Sequence, residues 1–321
     1  MSLVNFWRVR RYVAIARPDH WVKNIFLFPG TAAALVVAPQ GIQLRIVADL
    51  LLGLISLCLL ASANYTINEY LDAQYDRFHP LKNQRPGAQG LLDVRLVSVQ
   101  YFLLGSVGLV LAWQINLPFF WTSVWLLLMG LIYNVPPIRT KDKAYIDVLS
   151  ESVNNPIRFL MGWFLVAPNY LPPASALLAY WMGGAFLMGV KRYSEYSAID
   201  NPSRAAKYRR SFGQYTEKNL LLSSFFFALC SGLFLGIFLI KYRVELLLTF
   251  PLFAALFTWY LAIGIRNESA AQAPEKLYHE VAFLAFAVFT FFFSVALFFV
   301  DIPFLRGFME PHLIPIASGK P

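Results

Sequence analysis

Long apolar stretches alternate with short polar ones along the whole chain. Runs close to the ~20 residues that a helix needs to cross a bilayer fall at 24–39, 46–67, 96–114, 117–135, 148–168, 172–190, 220–240, 244–264 and 281–300. The pattern predicts an all-α protein, a polytopic transmembrane helical bundle of about nine helices. A membrane barrel would show short segments of alternating polarity instead. The first stretch contains Pro29 and Gly30 and is expected to be kinked or partly interfacial. The opening residues 1–13 lack the compact apolar core and small-residue cleavage site of a signal peptide. The mature chain is therefore expected to start near Met1, as one transmembrane domain over 1–321 with an N-terminal segment 1–23 and a tail 301–321.

Composition agrees with the pattern: of 321 residues, 58% are hydrophobic and 14% charged, which excludes an ordinary soluble domain. A net charge of +9 would suggest nucleic acid in a soluble protein. Here the basic residues lie in membrane-proximal loops, where topology and anionic headgroups account for them. Most of the 27 Lys and Arg fall on the N-terminal side of the predicted bundle. Arg45, Lys241, Arg243, Arg306 and Lys320 fall on the other side, and Arg158 inside a span. By the positive-inside rule the N-terminus is cytoplasmic. With an odd number of spans the C-terminus lies outside, and the longer polar loops gather at the cytoplasmic face around a candidate cavity. Cys58 and Cys230 sit in apolar runs without ligand spacing and read as small core residues.

The candidate chemistry begins where the second stretch ends. Asn68, Asp72 and Asp76 follow one another at steps of four, so they share a helix face. Acidic pairs this close to hydrocarbon are costly unless they hold an ion or a substrate. Their hard oxygens suit Mg²⁺, which binds through one or two carboxylates while phosphates and waters complete its shell. Asp147 and Glu151 repeat the spacing after the fourth stretch and offer a second ion site, or a weak sign of duplication. The plain alternative is an exposed acidic helix face, which the second pair and the nearby cations weigh against.

Arg77, His79, Lys82 and Arg85 follow Asp76. They read either as neutralisers of a diphosphate or as ordinary inner-loop cations, with His79 structural or a phosphate donor. Arg158 is more informative, since a buried Arg needs a partner, and Asp147, Glu151 or a bound anion can serve. Asn154, Asn155 and Pro156 before it are expected to break the helix and line a polar pocket. Lys191, Arg192 and Glu195 end the sixth stretch as further site candidates. Arg204, Lys207, Arg209 and Arg210 read instead as a solvated or headgroup-binding helix. Phe289, Phe291, Phe292 and Phe293 read as lipid-facing rather than as shelter for a carbocation.

The N-x-x-x-D-x-x-x-D motif of Asn68, Asp72 and Asp76, the second acidic region and the nine apolar stretches together resemble the UbiA superfamily of intramembrane prenyltransferases. Within it, three further segments are similar to decaprenyl-phosphate phosphoribosyltransferase-like members: Arg17-Pro18 with Trp21, Lys23 and Asn24; Asp76 to Lys82 with Arg85-Pro86; and Lys191-Arg192 with Glu195. The resemblance covers residues 17–215. Departures are Glu69 for the usual Asp, Asn154-Asn155-Pro156 where a Gly-Phe step is usual, and the added acid Glu151.

What the resemblance implies is an Mg²⁺-dependent transferase in a bacterial inner membrane that displaces diphosphate from an activated donor. Asp72, Asp76, Asp147 and Glu151 would be catalytic and, with Asn68, would hold metal. Lys23, Asn24, Arg77, His79, Lys82, Arg85, Arg158, Lys191, Arg192 and Glu195 would bind substrate. The expected reaction is phosphoribosyl transfer from phosphoribosyl diphosphate to a polyprenyl phosphate. Prenyl transfer from a polyprenyl diphosphate to an aromatic acceptor is the alternative within enzymes, and a membrane transporter the alternative outside them.

Overall fold

The computed structural model describes residues 3–37, 45–79, 82–199, 201–266, 269–272 and 274–309. Pro80 and Leu81 of the basic loop, the tail beyond Met309 and the side chains of Arg8, Lys276 and Arg306 lie outside that description. The described regular structure is helical throughout: α1 (Leu3–Ala16), α2 (Phe28–Val37), α3 (Ile46–Asp76), α4 (Val94–Ile115), α5 (Leu117–Asn134), α6 (Ile146–Ser152), α7 (Asn154–Val166), α8 (Ala174–Ser197), α9 (Pro202–Tyr208), α10 (Glu217–Tyr242), α11 (Phe250–Ile265), α12 (Val281–Leu297) and α13 (Pro303–Met309), with 3₁₀ turns between several of them.

Where described, each predicted apolar stretch falls largely on helix. Among the described residues, five helices are long and apolar enough to cross a membrane: Ile46–Asp76, Val94–Ile115, Leu117–Asn134, Glu217–Tyr242 and Val244–Ile265. The others are shorter, broken or charged at one end. The first stretch divides into a 3₁₀ segment Pro18–Leu27 and α2, as Pro29 and Gly30 suggest. The fifth breaks at Val153, between α6 and α7, just ahead of Asn154, whose side chain donates to the Glu151 carbonyl at 3.0 Å. At 31 residues α3 is about 46 Å long, more than the ~30 Å hydrocarbon core, so its polar last turns extend past the apolar part.

Small residues and buried polar side chains hold the bundle together. At the α2–α7 crossing, a Cβ on Gly30 would meet the backbone of Phe159, and one on Gly162 the carbonyl of Leu27. The Thr31 hydroxyl donates to the Gly162 carbonyl at 3.1 Å across this contact. Ser56 on α3 donates to the Gly108 carbonyl of α4 at 2.7 Å, and Asn64 to the Leu126 carbonyl of α5 at 3.0 Å. Between membrane helices, where lipid is as apolar as leucine, close packing and such hydrogen bonds supply the attraction. Gly162→Ala is expected to lower stability by about 1–3 kcal/mol through overpacking, read as a lower unfolding midpoint in detergent; an unchanged midpoint would mean that the crossing tolerates separation.

The outside is apolar, as lipid contact requires. Phe102, Leu103, Trp113, Phe225, Leu229 and Leu233 are all exposed, as are Phe289, Phe291 and Phe292 of α12.

Candidate active site

The last turns of α3 place Asn68, Glu69, Asp72 and Asp76 at one end of the bundle. The α5–α6 connection, the end of α8 and the segment after α9 close over them. Lys141 lies 2.6 Å from the Asp72 carboxylate, and Arg139 bonds it at 2.9 Å. Both basic side chains also reach Asn134, Arg139 through the backbone carbonyl and Lys141 through Oδ1, each at 2.8 Å. Asn68 donates to that same Oδ1 at 2.5 Å. Asp76 pairs with Arg85 at 2.7 Å. The buried Glu69 pairs with Arg17 and lies 3.9 Å from Arg85, contacts that its extra methylene relative to Asp helps it reach.

The second acidic pair is held as firmly. Asp147 is wholly buried and accepts from Tyr215 at 2.7 Å and Ser211 at 3.1 Å, with Arg192 and Arg209 each at 3.4 Å. Glu151 pairs with Arg192 and accepts from Tyr133 at 2.7 Å, and Lys191 stands 4.0 Å away. Arg192, 1% exposed, also bonds Glu195 at 2.9 Å. Lys82 bonds Glu195 at 2.9 Å and contacts the Tyr208 hydroxyl. One charged network thus links α3, the loop after it, α6, α8 and the segment following α9.

Among the described residues, three other than glycine have left-handed φ: Arg17 (51°), Arg139 (29°) and Tyr145 (65°). Each borders this network: Arg17 on Glu69, Arg139 on Asp72, and Tyr145 through its amide to the Tyr215 hydroxyl. Backbone held in this region costs about 1–3 kcal/mol and persists where surrounding contacts impose it.

Electrostatics outside the spans follow from burial. Desolvation, with Arg139 adding to it, draws Lys141 down to about 8 despite the opposing pull of Asp72. Burial opposes the charge on Lys82 too, yet Glu195 outweighs it and holds Lys82 above its usual range. Burial beside Lys82 pushes His79 down to about 4, so its ring is neutral at physiological pH. Its Nδ1 accepts from the Lys82 amide at 3.2 Å, and its ring stands edge-on to Tyr208 at 4.6 Å. His79 thus shapes the loop that aims Lys82.

Not every predicted residue arrives in the network. Arg77 is exposed and donates to the Ala88 carbonyl at 3.0 Å, bracing the loop from outside. Lys23 lies 3.2 Å from His20 Nδ1 and reaches the network through the repulsion between its charge and that of Lys191. Arg158 meets neither Asp147 nor Glu151, which are taken up by Arg192, Arg209 and hydroxyl groups. Its Nε donates to Asn24 Oδ1 at 3.2 Å instead. Arg209, expected on a solvated helix, points inward. The chain leaves helical geometry there (φ −141°, ψ 119°), which breaks the spacing that would have sent the residue outward.

Other participants carried no signal in their spacing. Arg139, Lys141, Tyr133, Tyr208 and Tyr215 are loop or helix-end residues brought in by tertiary contacts. Arg17 belongs to a longer register. The segment 17–24 runs antiparallel to α3, with Arg17 on Glu69, the His20 ring 5.1 Å from Tyr65, Trp21 donating to Ser62 at 2.9 Å and Asn24 to Cys58 at 3.2 Å.

The donor set can be tested for Mg²⁺. Among the described residues, no three His, Cys, Asp or Glu side chains converge to hold an ion by themselves. Asn68, Asp72 and Asp76 fit the other arrangement that Mg²⁺ accepts, one or two carboxylates per ion with phosphate oxygens and water supplying the rest. Lys141, Arg139 and Arg85, now on these carboxylates, are the groups that an incoming diphosphate would attract.

A model of the UbiA prenyltransferase family matches residues 26–287. The decaprenyl-phosphate phosphoribosyltransferase of Mycolicibacterium smegmatis is 28% identical over 232 residues, 69% of each chain. That of Mycobacterium tuberculosis is 29% identical over 225 residues, 69% of this chain and 72% of its own. A UbiA homologue from Archaeoglobus fulgidus bound to GPP and Mg²⁺ superposes with a TM-score of 0.68 at 21% identity, covering 90% of this chain and all of that one.

Proposed function

The chain belongs to the UbiA prenyltransferase family, an integral membrane transferase, and from that premise we propose that it moves a phosphoribosyl group from phosphoribosyl diphosphate to a polyprenyl phosphate. Three things support this reading: the relatives named for that reaction, the motif residues Lys82, Arg85, Lys191, Arg192 and Glu195, and the density of cations around the acidic face. The observation that carries it is the placement of Asn68, Asp72 and Asp76 on one helix face within reach of Arg85, Arg139 and Lys141.

Bound Mg²⁺ would draw charge from the departing diphosphate oxygens. Asp72 and Asp76, assisted by Asn68, would be its principal ligands, whereas Asp147 and Glu151, the expected second pair, are taken up here by Arg192, Arg209 and hydroxyl groups. Lys141, Arg139 and Arg85 pass from carboxylate to phosphate and stabilise the charge that develops on the leaving group. At the reacting carbon, the C1–O bond to diphosphate breaks and its electron pair leaves with the diphosphate. An ionised oxygen of the acceptor phosphate forms the new C1–O bond, so no strong general base is required. Glu195, held by Lys82 and Arg192, would accept from ribose hydroxyls. In this reading the whole chain is one transmembrane domain in a bacterial inner membrane, with the site at the cytoplasmic face.

The test supplies purified protein in lipid with Mg²⁺ and alternative substrate pairs. Diphosphate is expected with phosphoribosyl diphosphate plus polyprenyl phosphate, and its release is expected to stop on chelation. Release with prenyl diphosphate plus an aromatic acid, and not with the first pair, would replace this reading by prenyl transfer.

A further inference from the structure

We propose that Arg158, together with Asn24, forms a separate anion subsite for the phosphomonoester headgroup of the lipid acceptor; the proposal rests on the phosphoribosyl reading above. Its starting point is an imbalance in how the buried and half-buried cations around the site are partnered. Arg17, Lys82, Arg85, Arg139, Lys141, Arg192 and Arg209 all lie within 4.0 Å of a carboxylate. Arg158 is 9% exposed and, among the described residues, has no carboxylate within that distance. Its contacts are neutral: Asn24 Oδ1 at 3.2 Å and the Asn154 carbonyl at 3.4 Å.

An uncompensated guanidinium inside a membrane bundle costs several kcal/mol, and such residues persist where a ligand supplies the missing charge. The guanidinium fork matches the oxygens of a phosphate, and no carboxylate stands near it to share a metal. Asn24 extends the subsite. Among the described residues, its amide group donates to the Cys58 sulfur at 3.2 Å, a weak acceptor that a phosphate oxygen readily displaces.

Position separates this subsite from the acidic centre. Arg158 follows Glu151 in sequence across the break at Val153 and lies in a run from Pro156 to Val166 that is buried throughout. Asn24 contacts Cys58, which is about 16 Å along α3 from Glu69, on the side away from the polar loops. A water-soluble donor reaches the acidic centre through the loops. A headgroup tethered to an isoprenoid chain would arrive from the lipid, at the level along α3 where Asn24 and Arg158 meet. With the donor's phosphates on the acidic centre, transfer would require its C1 to reach an acceptor phosphate held by Arg158.

The experiment measures calorimetric binding of decaprenyl phosphate, decaprenol and inorganic phosphate to the full-length protein in detergent, for the wild type, Arg158→Gln and Arg158→Lys. Arg158→Gln is expected to weaken decaprenyl phosphate binding about 20-fold, the loss for a charge-assisted hydrogen-bonded pair. It should raise the acceptor KM in proportion and leave binding of Mg²⁺-phosphoribosyl diphosphate unchanged. Arg158→Lys should fall between. Without ligand, Arg158→Gln should melt no lower than the wild type, because it removes an unpaired buried charge; a structural ion pair would give the opposite sign. Equal affinity of Arg158→Gln and wild type for decaprenyl phosphate overturns the subsite while leaving the phosphoribosyl reading intact. Equal binding of decaprenol, or of inorganic phosphate, by the wild type overturns the lipid phosphomonoester as its ligand. A wild type that binds prenyl diphosphate and no decaprenyl phosphate removes the phosphoribosyl reading and the subsite together.

Discussion

Asp72→Asn and Asp76→Asn are each expected to lower turnover by about 10³-fold or more while the protein stays folded. An amide keeps the size of the side chain and removes the anionic oxygen that a divalent ion and its diphosphate require. The network can absorb the change at Asp72. Lys141 already sits near 8 because burial disfavours its charge, and without Asp72 it sheds its proton instead of remaining an unpaired cation. Arg139 keeps Asp142 at 3.2 Å and the Asn134 carbonyl. Diphosphate release measured beside a thermal midpoint separates chemistry from folding. Full activity in both variants would remove these residues from the reaction.

Arg192→Met should act in the opposite way, on the fold first. Arg192 is the shared counter-ion of Asp147, Glu151 and Glu195, and two of these, Asp147 and Glu195, are almost completely buried. Removing one partner of a buried ionic group costs about 3–5 kcal/mol, because the remaining charges have neither water nor a counter-ion. Arg209 and Lys82 cover part of the deficit at Asp147 and Glu195. Glu151 is left with Tyr133 and the distant Lys191. The expected result is a much lower unfolding midpoint in detergent, partly restored in Arg192→Lys. A midpoint equal to that of the wild type would mean that the network is held from elsewhere.

The acidic half of the candidate site was legible in the sequence because a helix imposes a period. Asn68, Asp72 and Asp76 announce a shared face, and α3 continues without a break to Asp76. The basic half was legible only in part, through Lys82, Arg85, Lys191 and Arg192. Arg139 and Lys141 lie in a connection with no period to read, where inner-loop topology alone would also place cations. Tyr133, Tyr208 and Tyr215 are three of 16 tyrosines in a chain rich in aromatic residues, and nothing local marks their hydroxyls as partners of acids. Arg158 was legible as an anomaly, whereas its neighbour Asn24 is a contact between residues 134 positions apart. Spacing told which charges share an element; only tertiary packing tells which charges meet.

The acids ride on the same unbroken rod that crosses the bilayer. A thicker or thinner membrane makes such a rod tilt, or makes the lipid around it stretch or thin, at a fraction of a kcal/mol per ångström. Because α3 has no hinge between its lipid-contacting turns and Asp72, that accommodation is carried directly to the reacting end. Acyl-chain length in the host membrane thereby becomes a mechanical input to the enzyme's geometry.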